Sequence, residues 1–322
     1  MILVTGCAGF IGSKVTELLL KDGAEVFGID DLNDSYDVRI KRWRLSKLLD
    51  HRGFKFKQMD ISEWEEVVSL FSSNRFSAVI NLAARAGVRR SLEDPWVYLR
   101  TNELGNLNIL EACRRSGVRK VVLASTSSVY GLEELPFCED AQADRPLSPY
   151  AASKRSAECW AFSYHHLYNL DITILRYFTV YGPAGRPDMS IFKFMRLIYE
   201  GKDITVYGDG NQERDFTYVD DIAGGTIRAL RLRGFQRINL GSDRPVKLNY
   251  VISLIEDRMG KRAKRVYLPP HPADVPKTWA NINLARELLG WEPKVSIEEG
   301  IKRTVDWFMS NLDLVLEVNL PE

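Results

Sequence analysis

The sequence predicts a doubly wound α/β fold: an open parallel β-sheet covered by helices on both faces, followed by a smaller C-terminal α/β domain. Three observations carry this expectation. Short β-branched runs alternate with amphipathic stretches through the first half of the chain. Several of those runs are apolar on both faces, as strands buried beneath two helical layers must be. The first run then passes through a glycine-rich turn, "VTGCAGFIG", directly into a helical stretch.

In chain order the expected strands are "ILVT", "AEVFGID", "FKFKQMD", "SAVINLA", "KVVLAS" and "DITILRYF". Helical stretches separate most of them. The one after Ile61 opens with "SEWE", which reads as a capping box with Ser62 as cap and Glu65 reaching back. "NELGNLNILEACRRSG" has apolar residues at helical spacing and stops at Gly117. "SPYAASKRSAECWAFSYHHLYN" places Ser148 as cap and Pro149 at the first helical position. After Phe178 the pattern loosens and Pro and Gly become frequent, as in "GPAGRP", "YGDGNQ" and "LPPHPADVP". The expected domains are therefore residues 1–177 and 178–322, with some C-terminal elements returning to the main sheet.

The chain has 322 residues, 45% of them hydrophobic and 27% charged, which suits a globular protein with a sizeable core. Lys plus Arg is 44 and Asp plus Glu is 43, a balance that argues for neither nucleic acid nor an anionic membrane as partner. Local basic runs, "RIKRWRLSK" and "GKRAKR", read as solvated faces. Cys7, Cys113, Cys138 and Cys159 are widely spaced and match no metal-ligand pattern, which fits free thiols in a reducing compartment. His51, His165, His166 and His271 form no metal or catalytic pattern either, so no metal site is expected. No signal peptide is evident, and no apolar run approaches the roughly 18 residues of a membrane span, so a cytoplasmic protein is expected.

The glycine turn is the first chemical signal. Gly6, Gly9 and Gly12 allow a tight turn, close approach to a pyrophosphate and packing of the helix on the sheet, with Phe10 and Ile11 between them. The helix N-terminus presents free N–H groups and a positive dipole end to phosphate. The spacing, G-x-x-G-x-x-G, is weak alone. Asp30 strengthens it by closing the second strand 18 residues beyond Gly12, where a carboxylate accepts from the adenosine ribose hydroxyls. A carboxylate there repels a 2′-phosphate, so the expected cofactor is NAD rather than NADP.

"YAASK" places Tyr150 and Lys154 one turn apart on one helical face. A phenol with a pKa near ~10 is a poor base at neutral pH, and a nearby ammonium favours its phenolate. The pattern occurs by chance on many helices. What raises it is "ASTSSVYG" at the carboxyl end of a predicted parallel strand, where open α/β sheets bind ligands. Thr126 there could relay a proton between a sugar hydroxyl and Tyr150.

With these motifs the chain resembles the extended short-chain dehydrogenase/reductase family, and within it the nucleotide-sugar epimerases and dehydratases. The resemblance runs over nearly the whole chain, through "NLAA", "YLRTNELGNLNILEA", "SSVYG", "SPYAASK", "RYFTVYGP", "RDFTYVDD" and "DVPKTWANI". It implies a Rossmann domain holding NAD tightly, a C-terminal domain for the nucleoside diphosphate, and a homodimer built on the helices containing Glu111 and Trp160. The implied chemistry is transient oxidation, with Tyr150 and Thr126 removing the 4-hydroxyl proton as the carbon-4 hydride passes to NAD. Dehydratases look like "TDEVYG" where this chain has Ser127 and Ser128, which cannot act as the acid and base of an elimination. The glutamate of glucuronate decarboxylases is missing too, which leaves 4-epimerisation.

Galactose epimerases look like "RYFNPVGA", whereas this chain has Thr179 and, shortly after, Arg186. That pairing, with "AGVRRSLEDP" and "NDSYDV", resembles UDP-glucuronic acid 4-epimerases. A sugar carboxylate is costly to desolvate unless paired, and Arg186 would meet it with a planar bidentate fork, Thr179 adding a hydroxyl. The resemblance further places Asn33, Asp60 and Ile61 at the adenosine half of NAD, and Leu82, Ala83 and Ala84 along the nicotinamide half. Asn102 is either a polar contact near that ribose or a helix brace. Thr205, Tyr207, Gln212, Arg214 and Asp274 match positions that hold uridine and diphosphate. One departure stands out: relatives mostly read "AAQAGVR", and this chain has Arg85 in place of the glutamine. The competing readings are a UDP-glucose/UDP-galactose 4-epimerase, against which Thr179 and Arg186 stand, and a non-catalytic dinucleotide-sensing scaffold, which would have no need of Thr126, Tyr150 and Lys154.

Overall fold

The computed structural model describes residues 1–271 and 274–320. Its strands are β1 (Ile2–Thr5), β2 (Val26–Asp30), β3 (Phe54–Gln58), β4 (Ala78–Asn81), β5 (Lys120–Thr126), β6 (Asp171–Tyr177), β7 (Thr179–Tyr181), β8 (Asp203–Tyr207), β9 (Glu213–Tyr218), β10 (Phe235–Leu240), β11 (Pro245–Lys247) and β12 (Lys264–Leu268). Seven of them form one sheet in the order β10-β6-β5-β4-β1-β2-β3, with every pairing parallel. The chain leaves β1 towards β2 and β3, then crosses back to β4 on the other side. Such a reversal opens a crevice at the carboxyl ends of β1 and β4.

Alternation along each strand separates two cores. Leu3, Val79, Val121 and Ile172 pack beneath the helices Trp64–Ser73, Gly105–Ser116 and Pro149–Tyr168. Val4, Ile80, Val122 and Leu175 face the other way, towards the helices Phe10–Lys21, Val219–Arg228 and Asn283–Leu289. Burial on both faces is why these strands read as continuous apolar runs. A third core belongs to the C-terminal part, where Phe192, Ile198, Val206, Ile252 and Phe308 cluster around a three-stranded sheet, β11-β9-β7, and a pair, β12-β8.

The boundary at 177/178 does not separate these cores. β10 lies at the edge of the main sheet beside β6. In the opposite direction, the Val38–Leu49 helix gives Ile40 to the C-terminal core and packs Trp43 edge-on against Trp307 at 5.3 Å. The basic run on this helix is a solvated face only in part: Arg42 and Lys47 are exposed, whereas Lys41 and Arg44 are 4% and 3% exposed, turned towards the cores.

Of the three expected caps, two form and one does not. Ser148 accepts from the Ala151 amide at 3.2 Å and starts the Pro149–Tyr168 helix, and Gly117 closes the Gly105–Ser116 helix with φ +76°. Ser62 caps nothing. The next helix begins at Trp64 after Glu63, without a side-chain cap, and the Ser62 amide instead donates to Asp60 Oδ1 at 2.8 Å. The aspartate two residues upstream captures that N–H first, and the Ser62 hydroxyl accepts from Arg100 Nε at 3.1 Å. The Gly105–Ser116 helix is also longer than its pattern, continuing backwards into a π-helical turn at Leu99–Leu104. No helix among the described residues is long and apolar enough to cross a membrane.

Candidate active site

A single continuous cleft runs along the carboxyl ends of β1, β2, β4 and β5 and on into the C-terminal part. Its first segment is the glycine turn. Gly6 has φ +65°, and a Cβ on Gly12 would lie 2.0 Å from the Gly6 carbonyl oxygen, so only glycine allows the helix to start this close to the turn. Thr5 fixes the neighbouring wall: its hydroxyl donates to Asn81 Oδ1 at 2.6 Å and accepts from the Leu82 and Ala83 amides at 3.1 and 3.0 Å. Asp30 closes β2, accepting from the Ala8 amide at 3.1 Å and the Leu32 amide at 2.9 Å. Burial raises its pKa, against the pull of Lys41, whose Nζ is 3.9 Å away. Gly6, Gly9, Phe10, Ile11, Gly12, Asp30, Asn33, Asp60, Ile61, Leu82, Ala83 and Ala84 all line the cleft. A glycine cradle at a helix N-terminus with a carboxylate at the next strand end fits a dinucleotide, and Asp31 beside Asp30 disfavours a further phosphate on the ribose.

Thr126, Tyr150 and Lys154 meet in the middle of the cleft. Thr126 ends β5, its hydroxyl accepting from the Ser128 amide at 3.1 Å, and it hydrogen-bonds the Tyr150 phenol. The Tyr150 ring packs edge-on to Tyr98 at 6.0 Å, and Tyr98 in turn donates to the Gly87 carbonyl at 3.1 Å. Burial raises the Tyr150 pKa, opposed by the Thr126 hydrogen bond and then by the charge of Arg186. Arg186 thus adds a charge beside the phenol that the sequence did not point to. Burial pushes Lys154 down to about 8, with Glu158 opposing. Glu158 is itself anchored, accepting from Ser125 Oγ at 2.6 Å and from Arg176 Nε and Nη2 at 3.0 and 2.7 Å.

Ser127, Ser128, Thr179 and Arg186 face the same space. The bidentate fork foreseen for Arg186 is already occupied. Its Nε and Nη2 donate to Asp188 at 3.0 and 2.5 Å, and Nη2 also reaches the Ala86 carbonyl at 3.3 Å. An incoming anion would thus meet the Nη1 end, not the fork. The loop is braced by Arg44, which donates to the Ala184 carbonyl at 2.9 and 2.7 Å, to Gly185 at 3.0 Å, to Ala8 of the glycine turn at 3.2 Å and to the Tyr36 hydroxyl at 2.8 Å.

Farther along, Arg214 and Asp274 line the cleft, whereas Thr205, Tyr207 and Gln212 do not. Thr205 is exposed on β8, and Gln212 donates to the Tyr207 carbonyl at 2.7 Å. Tyr207 carries the guanidinium of Arg89 over its ring at 3.8 Å, and Arg89 pairs with Asp274 at 2.5 Å. Two guanidinium groups around one carboxylate leave this end net positive. Asn102 stands behind the cleft wall as a brace: it accepts from the Arg85 amide at 2.8 Å and donates to the Arg85 carbonyl at 2.9 Å and to Ser153 Oγ at 2.9 Å. Arg85 itself reaches across to Asn33 Oδ1 at 3.0 Å. Sequence reasoning singled out none of Tyr36, Lys41, Arg44, Arg89 and Glu158. Tyr36 and Arg89 do stand in the quoted motifs "NDSYDV" and "AGVRRSLEDP", which was the available signal.

This fold and cleft are those of a dinucleotide-dependent sugar-modifying enzyme, and the chain belongs to the NAD dependent epimerase/dehydratase family, whose model matches residues 2–241. It is 56% identical to the UDP-glucuronate 4-epimerase of Thermodesulfobacterium geofontis over 99% of both chains. Among solved structures it is similar to UDP-glucuronic acid 4-epimerase from Bacillus cereus in complex with UDP-glucuronic acid and NAD, with TM-score 0.90, 36% identity, and coverage of 96% of this chain and 99% of that one. It is also similar to UDP-glucose 4-epimerase from Thermotoga maritima with UDP-glucose, with TM-score 0.89, 34% identity, and coverage of 97% and 99%.

Proposed function

We propose that this chain is an NAD-dependent UDP-glucuronate 4-epimerase that interconverts UDP-glucuronate and UDP-galacturonate. The observation that carries the reading is a half-buried guanidinium, Arg186, whose charge acts on the Tyr150 phenol in the cleft that also holds the glycine turn. NAD supplies the acceptor, and later the donor, of the carbon-4 hydride. Tyr150, with Thr126 as relay, takes the 4-hydroxyl proton and returns it after the sugar has turned over. Lys154, when protonated, favours the phenolate that this step needs. Ser127, Ser128, Thr179 and Arg186 hold the sugar and its carboxylate. The 4-keto form of a uronic acid is a β-keto acid, prone to lose carbon dioxide, and a held carboxylate resists that cleavage. Arg89 and Arg214 offer the net positive end of the cleft to the diphosphate.

The test is to incubate the NAD-loaded protein with UDP-glucuronate and with UDP-glucose separately and to resolve the products. The reading expects UDP-galacturonate without pentose or carbon dioxide, and little turnover of the neutral sugar. Faster conversion of UDP-glucose would make it a hexose epimerase, and turnover of neither would favour the scaffold. Arg186→Ala should raise KM for the uronate about tenfold or more, the scale of one hydrogen bond to a charged group, with UDP affinity nearly unchanged; equal loss of both would overturn Arg186 as the carboxylate ligand. A cytoplasmic homodimer completes the proposal.

A further inference from the structure

The parallel sheet places three loops side by side at its carboxyl edge. β1 lies between β4 and β2, so the glycine turn after β1 lies between the loop that follows β2 and the loop that follows β4. Any bond joining the two outer loops on the cleft side must pass over the glycine turn. Two such bonds are present among the described residues. Arg85 Nη1, from the loop after β4, donates to Asn33 Oδ1 of the loop after β2 at 3.0 Å. Arg90 donates to the Ser35 carbonyl of that same loop. Asn33, Ser35, Ala84, Ala86 and the glycines all line one cleft, so each bridge joins one wall of it to the other.

Both ends are held. Asn102 grips the Arg85 backbone by its amide and its carbonyl and is tied to Ser153, on the helix that carries Tyr150. Asn33 is held by its own amide donating to Asp31 Oδ1 at 3.1 Å, and its Oδ1 also accepts from the Ser35 amide at 3.0 Å. Arg85 Nε is buried and has no hydrogen-bond partner.

We propose that Arg85 and Arg90 form a strap over the dinucleotide groove, which retains NAD from one turnover to the next. A cofactor above the glycine turn lies beneath these bridges and leaves only when they open. Retention has a chemical purpose under the proposed function, on which this inference rests: the hydride taken from a sugar must return to that sugar, so a reduced cofactor that escaped would strand the keto intermediate. Arg85 is a positioning residue here, acting through Asn33.

The experiment reads NAD release and needs no sugar, so its outcome is independent of which substrate is turned over. NAD-loaded protein is freed of excess cofactor by gel filtration, and appearance of free NAD is followed with time for wild type, Arg85→Gln, Asn33→Ala and the double variant. Each single variant should release NAD about tenfold to a hundredfold faster, the range spanned by one hydrogen bond to a charged group. The double variant should be no faster than the faster single one, because both remove the same bridge. Should Arg85→Gln fail to fold, Arg85→Lys, with a shorter reach and no planar fork, carries the same expectation. Wild-type release from a folded Arg85 variant, or multiplicative effects in the double variant, overturns the strap.

Discussion

Lys154 shows how a catalytic cleft holds a side chain at a cost to the fold. The ammonium is almost wholly buried, and burial depresses its pKa from 10.5 to about 8. Between about pH 8 and 10.5 the unfolded chain holds this proton and the folded chain does not. Stability from this group therefore rises with pH across that window, and below it the charged form carries a constant penalty of about 3 kcal/mol. Lys154→Met should be more stable than wild type at pH 7, with the advantage shrinking towards nothing by about pH 10.5; urea melts at both values measure it, and an advantage that does not vary with pH would contradict the cause. That Tyr150 and Lys154 line one cleft was legible because residues four apart on one helix share a face. Arg44 and Arg89 were not, since their partners Ala184 and Asp274 lie 140 and 185 positions away. The charge that Arg186 adds beside Tyr150 was not legible either, because the Arg186 loop is brought there only by the tertiary fold.

At the scale of elements, the buried pair Glu158–Arg176 joins the helix bearing Tyr150 to β6. Both side chains are at most 1% exposed, and Ser125 at the end of β5 completes the contact, so the helix, β5 and β6 are fixed together where Thr126 must meet Tyr150. Burial raises the Glu158 pKa, but the Arg176 hydrogen bonds and charge outweigh it and hold the carboxyl below its usual range. Removing one partner leaves the other charge unpaired. Glu158→Gln should lower the unfolding free energy by about 3–5 kcal/mol, whereas the apolar double replacement Glu158→Leu with Arg176→Met should recover much of that loss; equal losses in urea titrations would show that the pair is more than mutual compensation. The strands were legible for a physical reason, since burial on two faces leaves them nearly no polar positions. The cap at Ser62 was not, because an aspartate at position 60 competes for the same amide and local pattern does not rank the two acceptors.

For the molecule as a whole, the outer layer carries an unresolved debt of apolar surface. Trp160, Phe162, Leu167 and Tyr168 are 42%, 54%, 63% and 44% exposed on the catalytic helix, and Leu99 and Leu104 are 48% and 46% exposed just before the helix bearing Glu111. Phe162 is accounted for by edge-on packing against Phe235, and Tyr168 lies beneath the Arg114 guanidinium. Trp160 and Leu167 share a face at i, i+7, and clustered exposed side chains of this size mark association surfaces more often than idle ones. The proposed homodimer would cover them by packing this helix and its neighbour on their copies around a two-fold axis, an arrangement that sets one patch against itself. Trp160→Glu with Leu167→Glu puts like charges face to face across such an axis and should turn a sedimenting dimer into a monomer that keeps its NAD, since both positions lie outside the cleft. A wild-type monomer at micromolar concentration, or a dimer indifferent to both charges, would move the contact elsewhere on the surface.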